Sequence, residues 1–365
     1  MTPQAHILAL QPYVPGKAAR TGTDGRPMLK LGSNESPLGP SAQAIVRIRE
    51  MADKAHLYPD DSATGLKAAI AEQNGLSPNQ IILGTGSDEV IAMVLHTYCG
   101  HHNGIATAMA TFPMYGISAR GFGGSVEYRP MREHTFDLEA YADVPAGHVV
   151  CLADPNNPTG TTVDFEQLLA LVSRRRDVLF LYDAAYEEYR SRPAHWRWDR
   201  IVDAHPNLFV TRTFSKAYGL AGLRVGYGYG HADLVGHIQR VRPPFNVNAL
   251  ALAAAEAAIR DQAHLRLVLE THRESLEVLL QFCRQNNLPY IPSSANFLLV
   301  RMPPRAGNPG ETTGQAWARM LLDTNIIVRA LPGIGYDDWL RISTGTVEQM
   351  QQVCHTLQSM LAKPG

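Results

Sequence analysis

The sequence predicts an α/β protein: a large domain on a mostly parallel central sheet, followed by a smaller α+β domain. Three observations carry this expectation. The chain has 365 residues, more than one hydrophobic core usually fills. Between about residue 80 and residue 230, short β-rich runs alternate with longer runs of helical period, as in crossover-connected parallel strands. After Asn248 the composition shifts to an Ala/Leu/Glu-rich stretch with few Gly or Pro.

In chain order, residues 1–30 are rich in Gly, Pro and Thr and read as an arm that leans on the rest. A helical pattern begins near residue 41. The expected strands are QIIL (80–83), SVEYRPM (125–131), HVVCLAD (148–154), VLFLYD (178–183), LFVTRT (208–213) and LRVGYG (223–228). Most are apolar at consecutive positions, as strands covered on both faces are. DFEQLLALVSRR (164–175) has helical period, and Arg174, Arg175 and Arg176 are expected to complement its negative pole while staying solvated. Asn248 to Gln285 predicts one long helix or two joined ones. Beyond it come a strand (296–302), a helix (311–323), strands IIVRAL (326–331) and LRIST (340–344), and a last helix (346–361).

Charge narrows the function. Lys and Arg number 33 against 34 Asp and Glu, a net of -1, which argues against wrapping nucleic acid or coating an anionic membrane. Any anionic ligand must be held by local chemistry. Cys99, Cys151, Cys283 and Cys354 form no CxxC pair and read as reduced thiols of a cytoplasmic protein. The apolar patch in MTPQAHILALQPYVPGK is too short for a signal sequence and lacks a basic start. No stretch reaches the roughly 18 apolar residues of a membrane helix. The 14 histidines include no HExxH pair, and His101-His102 sits in a Gly/Asn-rich turn, so no metal is expected.

The chemistry gathers at strand ends. Gly84-Thr85-Gly86-Ser87-Asp88-Glu89 follows a strand and opens an apolar helix, a junction that can hold an anion or simply cap the helix. Asp154-Pro155-Asn156-Asn157-Pro158-Thr159-Gly160 follows another strand, where α/β sheets bind ligands. Asp183 ends an apolar strand, where desolvation demands a partner, and Tyr186 lies three residues on. Lys216, beside Ser215 and eight residues before Arg224, is a candidate Schiff-base lysine. Together these residues answer the needs of a pyridinium cofactor carrying a phosphate. Asp183 would keep the ring nitrogen protonated, and Asn157 and Tyr186 would stabilise the phenolate. Gly86, Ser87, Asp88, Thr213, Ser215 and Arg224 would hold the phosphate, and Lys216 would bind the carbonyl carbon and shuttle a proton.

These stretches resemble the fold-type I pyridoxal 5'-phosphate (PLP) aminotransferases, and within them the histidinol-phosphate aminotransferases. The matching segments are LGSNESPLGPS (31–41), YPD (58–60), GTGSDE (84–89), TFPMY (111–115), DPNNPTG (154–160), DAAYEEY (183–189), RTFSKAYGLAGLRVGY (212–227), ANFLLVR (295–301) and LRISTGT (340–346). The resemblance implies a large PLP-binding domain (41–262), a small domain (263–365) completed by the N-terminal arm (1–40), and a homodimer with shared active sites. It implies that Phe112 stacks on the cofactor, with Tyr115 as the alternative. It also implies that Tyr58 reaches the partner subunit's PLP phosphate, that Arg329 and Arg341 bind the substrate's anionic group, and that Asn34 and Glu35 close over the substrate. Where relatives carry a tyrosine after NENP-like sequence, Leu38 follows Pro37, which removes a phenol that could help hold phosphate.

The expected reaction is transfer of the amino group of L-histidinol phosphate to 2-oxoglutarate. PYVPGK (12–17) and PPFNV (243–247) also resemble members that accept aromatic amino acids, so an aromatic or broad aminotransferase is the close alternative. A PLP-dependent decarboxylase of phosphorylated amino acids is a further one. A PLP-binding regulator would need a DNA-binding module, and only about 30 residues precede the matched region. GTG (84–86) and GYGYG (226–230) do not supply the GxGxxG and distant acid of a dinucleotide site.

Overall fold

The computed structural model describes residues 1–12, 21–22, 25–190 and 196–362. Residues 13–17 of the PYVPGK stretch lie outside the described residues.

Among these residues the larger sheet has seven strands. They are β1 (Ile81–Gly84), β2 (Ile105–Ala108), β3 (Val126–Arg129), β4 (Val149–Ala153), β5 (Leu179–Asp183), β6 (Leu208–Thr213) and β7 (Gly226–Gly230). In space they run β1-β7-β6-β5-β4-β2-β3. β7 is antiparallel to both neighbours, and the remaining pairs are parallel. The consecutive apolar residues of the sequence serve two faces. Val150, Leu152, Phe180 and Tyr182 enter one core, while Val149, Cys151, Leu179 and Leu181 enter the core on the opposite face. Each fully buried Val, Leu or Phe contributes about 1.5–3 kcal/mol relative to exposure.

β2 was not legible as a strand, because its four residues, Ile-Ala-Thr-Ala, carry little apolar bulk. LRVGYG is shifted. Ala221–Leu223 form a short 3-10 turn and Arg224 sits at φ 56°, so β7 starts only at Gly226. The stretch after Asn248 is two helices, Ala249–Arg260 and Gln262–Gln285. Asp261 separates them and caps the second by accepting from the His264 N–H. The expected solvated basic run is partly wrong. Arg175 donates to the carbonyl oxygens of Ala142 and Val144 and to Asp177, so it fastens the loop before β4.

The smaller sheet has four strands in the order β8 (Tyr290–Ile291), β9 (Phe297–Arg301), β11 (Tyr336–Ser343), β10 (Arg329–Leu331). IIVRAL divides at Val328. Ile326–Ile327 pairs with the arm residues Leu29–Lys30, and Arg329–Leu331 pairs with β11. A separate core, including Leu279, Leu298, Trp317, Leu340 and Val353, covers this sheet, and Leu31 from the arm joins it. The helices Thr313–Leu322 and Val347–Leu361 each open with a capping box, Thr312 with Gln315 and Thr346 with Gln349. Among the described residues no helix is long and apolar enough to cross a membrane.

Candidate active site

The carboxyl ends of β4, β5 and β6 open into a cleft of about 660 Å³. Parallel strands present their ends to one edge, where α/β sheets receive ligands. The arm supplies Asn34 and Glu35, and β10 and β11 supply Arg329 and Arg341 as the opposite wall. Of the residues expected to hold cofactor or substrate, Gly86, Tyr58 and the alternative ring Tyr115 do not line this cleft. Gly86 adjoins two lining residues, Ser87 and Arg224. Tyr58 is 83% exposed and stacks on Phe245 at 4.7 Å, on the outer surface of the chain.

Gly86, at φ 81°, is the N-cap of the helix Ser87–Tyr98 and offers no side chain to its first turn. A Cβ at this position would stand 2.6 Å from the Arg224 guanidinium. The helix N-terminus therefore stays open beside a cation, the arrangement that suits an anion. Arg224 also meets Asp88 at 3.2 Å. Glu89 does not face the cleft. It accepts from the Thr85 N–H and from Asn246, both at 2.6 Å, and locks the loop.

The two asparagines after β4 divide their work. Asn156 is buried and bonds Thr111, Thr159 and the Ala110 carbonyl, which shapes the turn. Asn157 faces the cleft and accepts from Arg341. Asp154, also buried, is held by Tyr182, Arg190 and the Val163 N–H. Burial still pushes its carboxyl up to about 6.

Asp183 is 5% exposed and accepts from the Tyr115 hydroxyl at 2.6 Å and the Thr211 hydroxyl at 3.0 Å. Burial raises its carboxyl to about 6 against the pull of these two donors. Tyr115 is thus not the ring that faces the cleft. It is fully buried, meets Phe112 edge to face, and leaves Phe112 at the lining.

Lys216 leaves β6 through Thr213 and Ser215, whose backbone N–H donates to the Thr213 hydroxyl. Its Nζ donates to the Ser33 carbonyl at 3.0 Å. Burial, and after it the charge of Arg341, lower its amine to about 8. Tyr186 accepts from Asn34 at 2.8 Å, and burial raises its phenol. Asn34, at φ 57°, also bonds Ser343 through its backbone N–H and its side-chain oxygen. Glu35 pairs with Lys30 at 2.7 Å. Arg341 donates to Asn157 and to the Gly32 carbonyl, and Arg329 is its register partner across the strand pair.

Sequence reading missed Thr211, Lys30 and Ser343. Thr211 was within reach, because it lies two residues before Thr213 on the same strand face. Lys30 and Ser343 carry no local signal, since their partners come from segments that only the fold brings near.

A buried amine, a strand-end carboxylate and an open helix N-terminus in one α/β cleft define a fold-type I, PLP-type enzyme. The chain matches the aminotransferase class I and II family over residues 26–357 and belongs to it. It is 37% identical over 363 residues to histidinol-phosphate aminotransferase 2 of Nitrosospira multiformis, covering 97% of this chain and 90% of that one. It is 38% identical to histidinol-phosphate aminotransferase of Paramagnetospirillum magneticum, covering 98% of each. The crystal structure of histidinol-phosphate aminotransferase from Sinorhizobium meliloti in complex with pyridoxal-5'-phosphate aligns with a TM-score of 0.84 at 28% identity, covering 98% of this chain and 97% of that one. Within the class, the chain belongs to the histidinol-phosphate aminotransferase family.

Proposed function

We propose that the chain transfers the amino group of L-histidinol phosphate to 2-oxoglutarate, using pyridoxal phosphate, in L-histidine biosynthesis. The products are imidazole acetol phosphate and L-glutamate. One observation carries the reading: Lys216, Asp183, Asn157, Arg329 and Arg341 line a single cleft in a chain of the aminotransferase family.

The residues fit the cofactor. The uncapped helix turn at Gly86, where a side chain would collide with the Arg224 guanidinium, matches a phosphate. Ser87, Thr213 and Ser215 would add hydroxyls at that end, and Asp88 its backbone N–H. Asp183 would face the ring nitrogen, Asn157 and Tyr186 the phenolate oxygen, and Phe112 the ring face. When bound, the cofactor supplies an electron sink for the bond broken at the amino-bearing carbon. Lys216 carries the proton to and from that carbon, an office suited to an amine brought to about 8. Arg329 and Arg341 bind the donor's phosphate and then a carboxylate of 2-oxoglutarate, since guanidinium geometry serves both. Glu35 turns from Lys30 to the imidazole.

The same proposal includes a homodimer in which exposed Tyr58 crosses to the partner's phosphate site. It includes a division into residues 1–40, 41–262 and 263–365, supported by the helix break at Asp261 and the separate small-sheet core. A cytoplasmic place accords with four unpaired cysteines. The apolar lining residues Met109, Phe112, Leu331 and Ile334 favour a second reading, an aromatic amino acid as donor.

Borohydride reduction of the PLP-loaded protein followed by peptide mapping tests the cofactor site, and the expected mark is on Lys216. Glutamate formation from 2-oxoglutarate should depend on L-histidinol phosphate. No mark on Lys216, or carbon dioxide release without 2-oxoglutarate consumption, contradicts the proposal.

A further inference from the structure

The carboxylate of Asp183 is gripped from two sides before any ligand is considered. Oδ2 accepts from Tyr115 at 2.6 Å and Oδ1 from Thr211 at 3.0 Å. Tyr115 comes from the helix Met114–Gly121 and is fully buried, so its only polar atom is spent on this bond. Thr211 is the register partner of Asp183 on the adjacent strand, and it too is fully buried. Burying a phenol costs free energy unless its hydroxyl is bonded, and a core helix could have carried phenylalanine here without that demand. Phe112, three residues earlier, does face the cleft without a hydroxyl.

We propose that Tyr115, assisted by Thr211, is a positioning residue that fixes the Asp183 carboxylate in the orientation and charge state needed to hold a cofactor's ring nitrogen. The proposal rests on the reading of Asp183 given above. A hydrogen bond to a carboxylate favours its charged form, and a charged, immobile acceptor keeps a facing ring nitrogen protonated. With both oxygens engaged from the core side, the carboxylate cannot turn about its own bond. The Ala185 N–H also favours the charged carboxylate, and Asp183 lines the cleft, so the acceptor capacity these donors leave is available there. Tyr115 touches neither cleft nor substrate and acts through Asp183 alone.

The experiment uses the full-length protein stripped of cofactor and titrated with pyridoxal phosphate. Wild type is compared with Tyr115→Phe, Thr211→Val, Asp183→Asn and the Tyr115→Phe/Asp183→Asn double variant. The readouts are the dissociation constant, the absorption spectrum of the bound cofactor, and the melting temperature of the cofactor-free chain. Tyr115→Phe should weaken cofactor binding about tenfold, the size of one hydrogen bond to a charged group. It should shift the spectrum in the direction that Asp183→Asn shifts it, and lower kcat with little change in KM. In the double variant Tyr115→Phe should add nothing to the loss from Asp183→Asn. Thr211→Val should show the same changes, smaller. A lowered melting temperature with cofactor affinity and spectrum as in wild type, while Asp183→Asn changes both, overturns the proposal and leaves the Asp183 reading standing. No effect of Asp183→Asn itself overturns both.

Discussion

The side-chain amide of Asn34 donates a 2.8 Å hydrogen bond to the Tyr186 hydroxyl, across a separation of 152 residues. The N-terminal segment is thereby tied to the residue that follows the central strand β5. Asn34 also bonds Ser343 twice and accepts from Asn296, so one asparagine joins the arm, the strand end and the small sheet. Replacing it with glycine keeps the left-handed backbone and removes only the side chain. Asn34→Gly should lower unfolding stability by about 1–3 kcal/mol, read as a lower urea midpoint at unchanged slope. It should also reduce turnover by loosening Tyr186.

The Lys216 amine, lowered to about 8 by burial and then by Arg341, dictates a pH dependence of cofactor capture. Only the neutral amine attacks a carbonyl carbon. The rate at which cofactor-free protein takes up pyridoxal phosphate should rise with pH and level off above about 8. Arg341→Leu removes one depressing charge, so the inflection should move to higher pH. Stopped-flow absorbance across a pH series checks both the position and the direction.

Arg329 and Arg341 face each other across β10 and β11. A guanidinium offers paired donors that an ammonium cannot. Arg329→Lys or Arg341→Lys should raise KM for histidinol phosphate about 10- to 100-fold, the loss of one or two charge-assisted hydrogen bonds. Steady-state kinetics at saturating 2-oxoglutarate measures it.

Arg212 and Glu188 form an ion pair at 2.6 Å with side chains 8% and 4% exposed. Glu188→Ala removes the carboxylate paired with a buried guanidinium and should cost about 3–5 kcal/mol. A thermal melt of the cofactor-free chain reads this. The cost should shrink in an Arg212→Met/Glu188→Leu double variant, where neither charge remains.

Most of the sheet could be read from the sequence, because strands buried on both faces write themselves as consecutive apolar runs. β2 could not, since small residues suffice between two neighbours. The cleft residues Lys216, Asp183 and Asn157 were legible because each stands where an apolar run stops, a position that burial makes costly for a polar group without a function. What could not be read was which hydroxyl serves which carboxylate. Tyr115 and Phe112 carry similar rings three residues apart, and only the start of the helix at Met114 decides that one turns to the cleft and the other to Asp183. The arm's role was hidden for a like reason, because Leu29–Lys30 becomes a strand only against Ile326–Ile327.

Single-turnover half-reactions test the amino donor directly. The PLP-loaded protein is mixed, without 2-oxoglutarate, with L-histidinol phosphate, L-phenylalanine or L-tyrosine in turn, and loss of the absorption of lysine-bound cofactor is followed. Histidinol phosphate should discharge it with the highest kcat/KM, and Arg341→Lys should narrow its lead. Faster discharge by phenylalanine or tyrosine, or none by histidinol phosphate, would contradict the assignment.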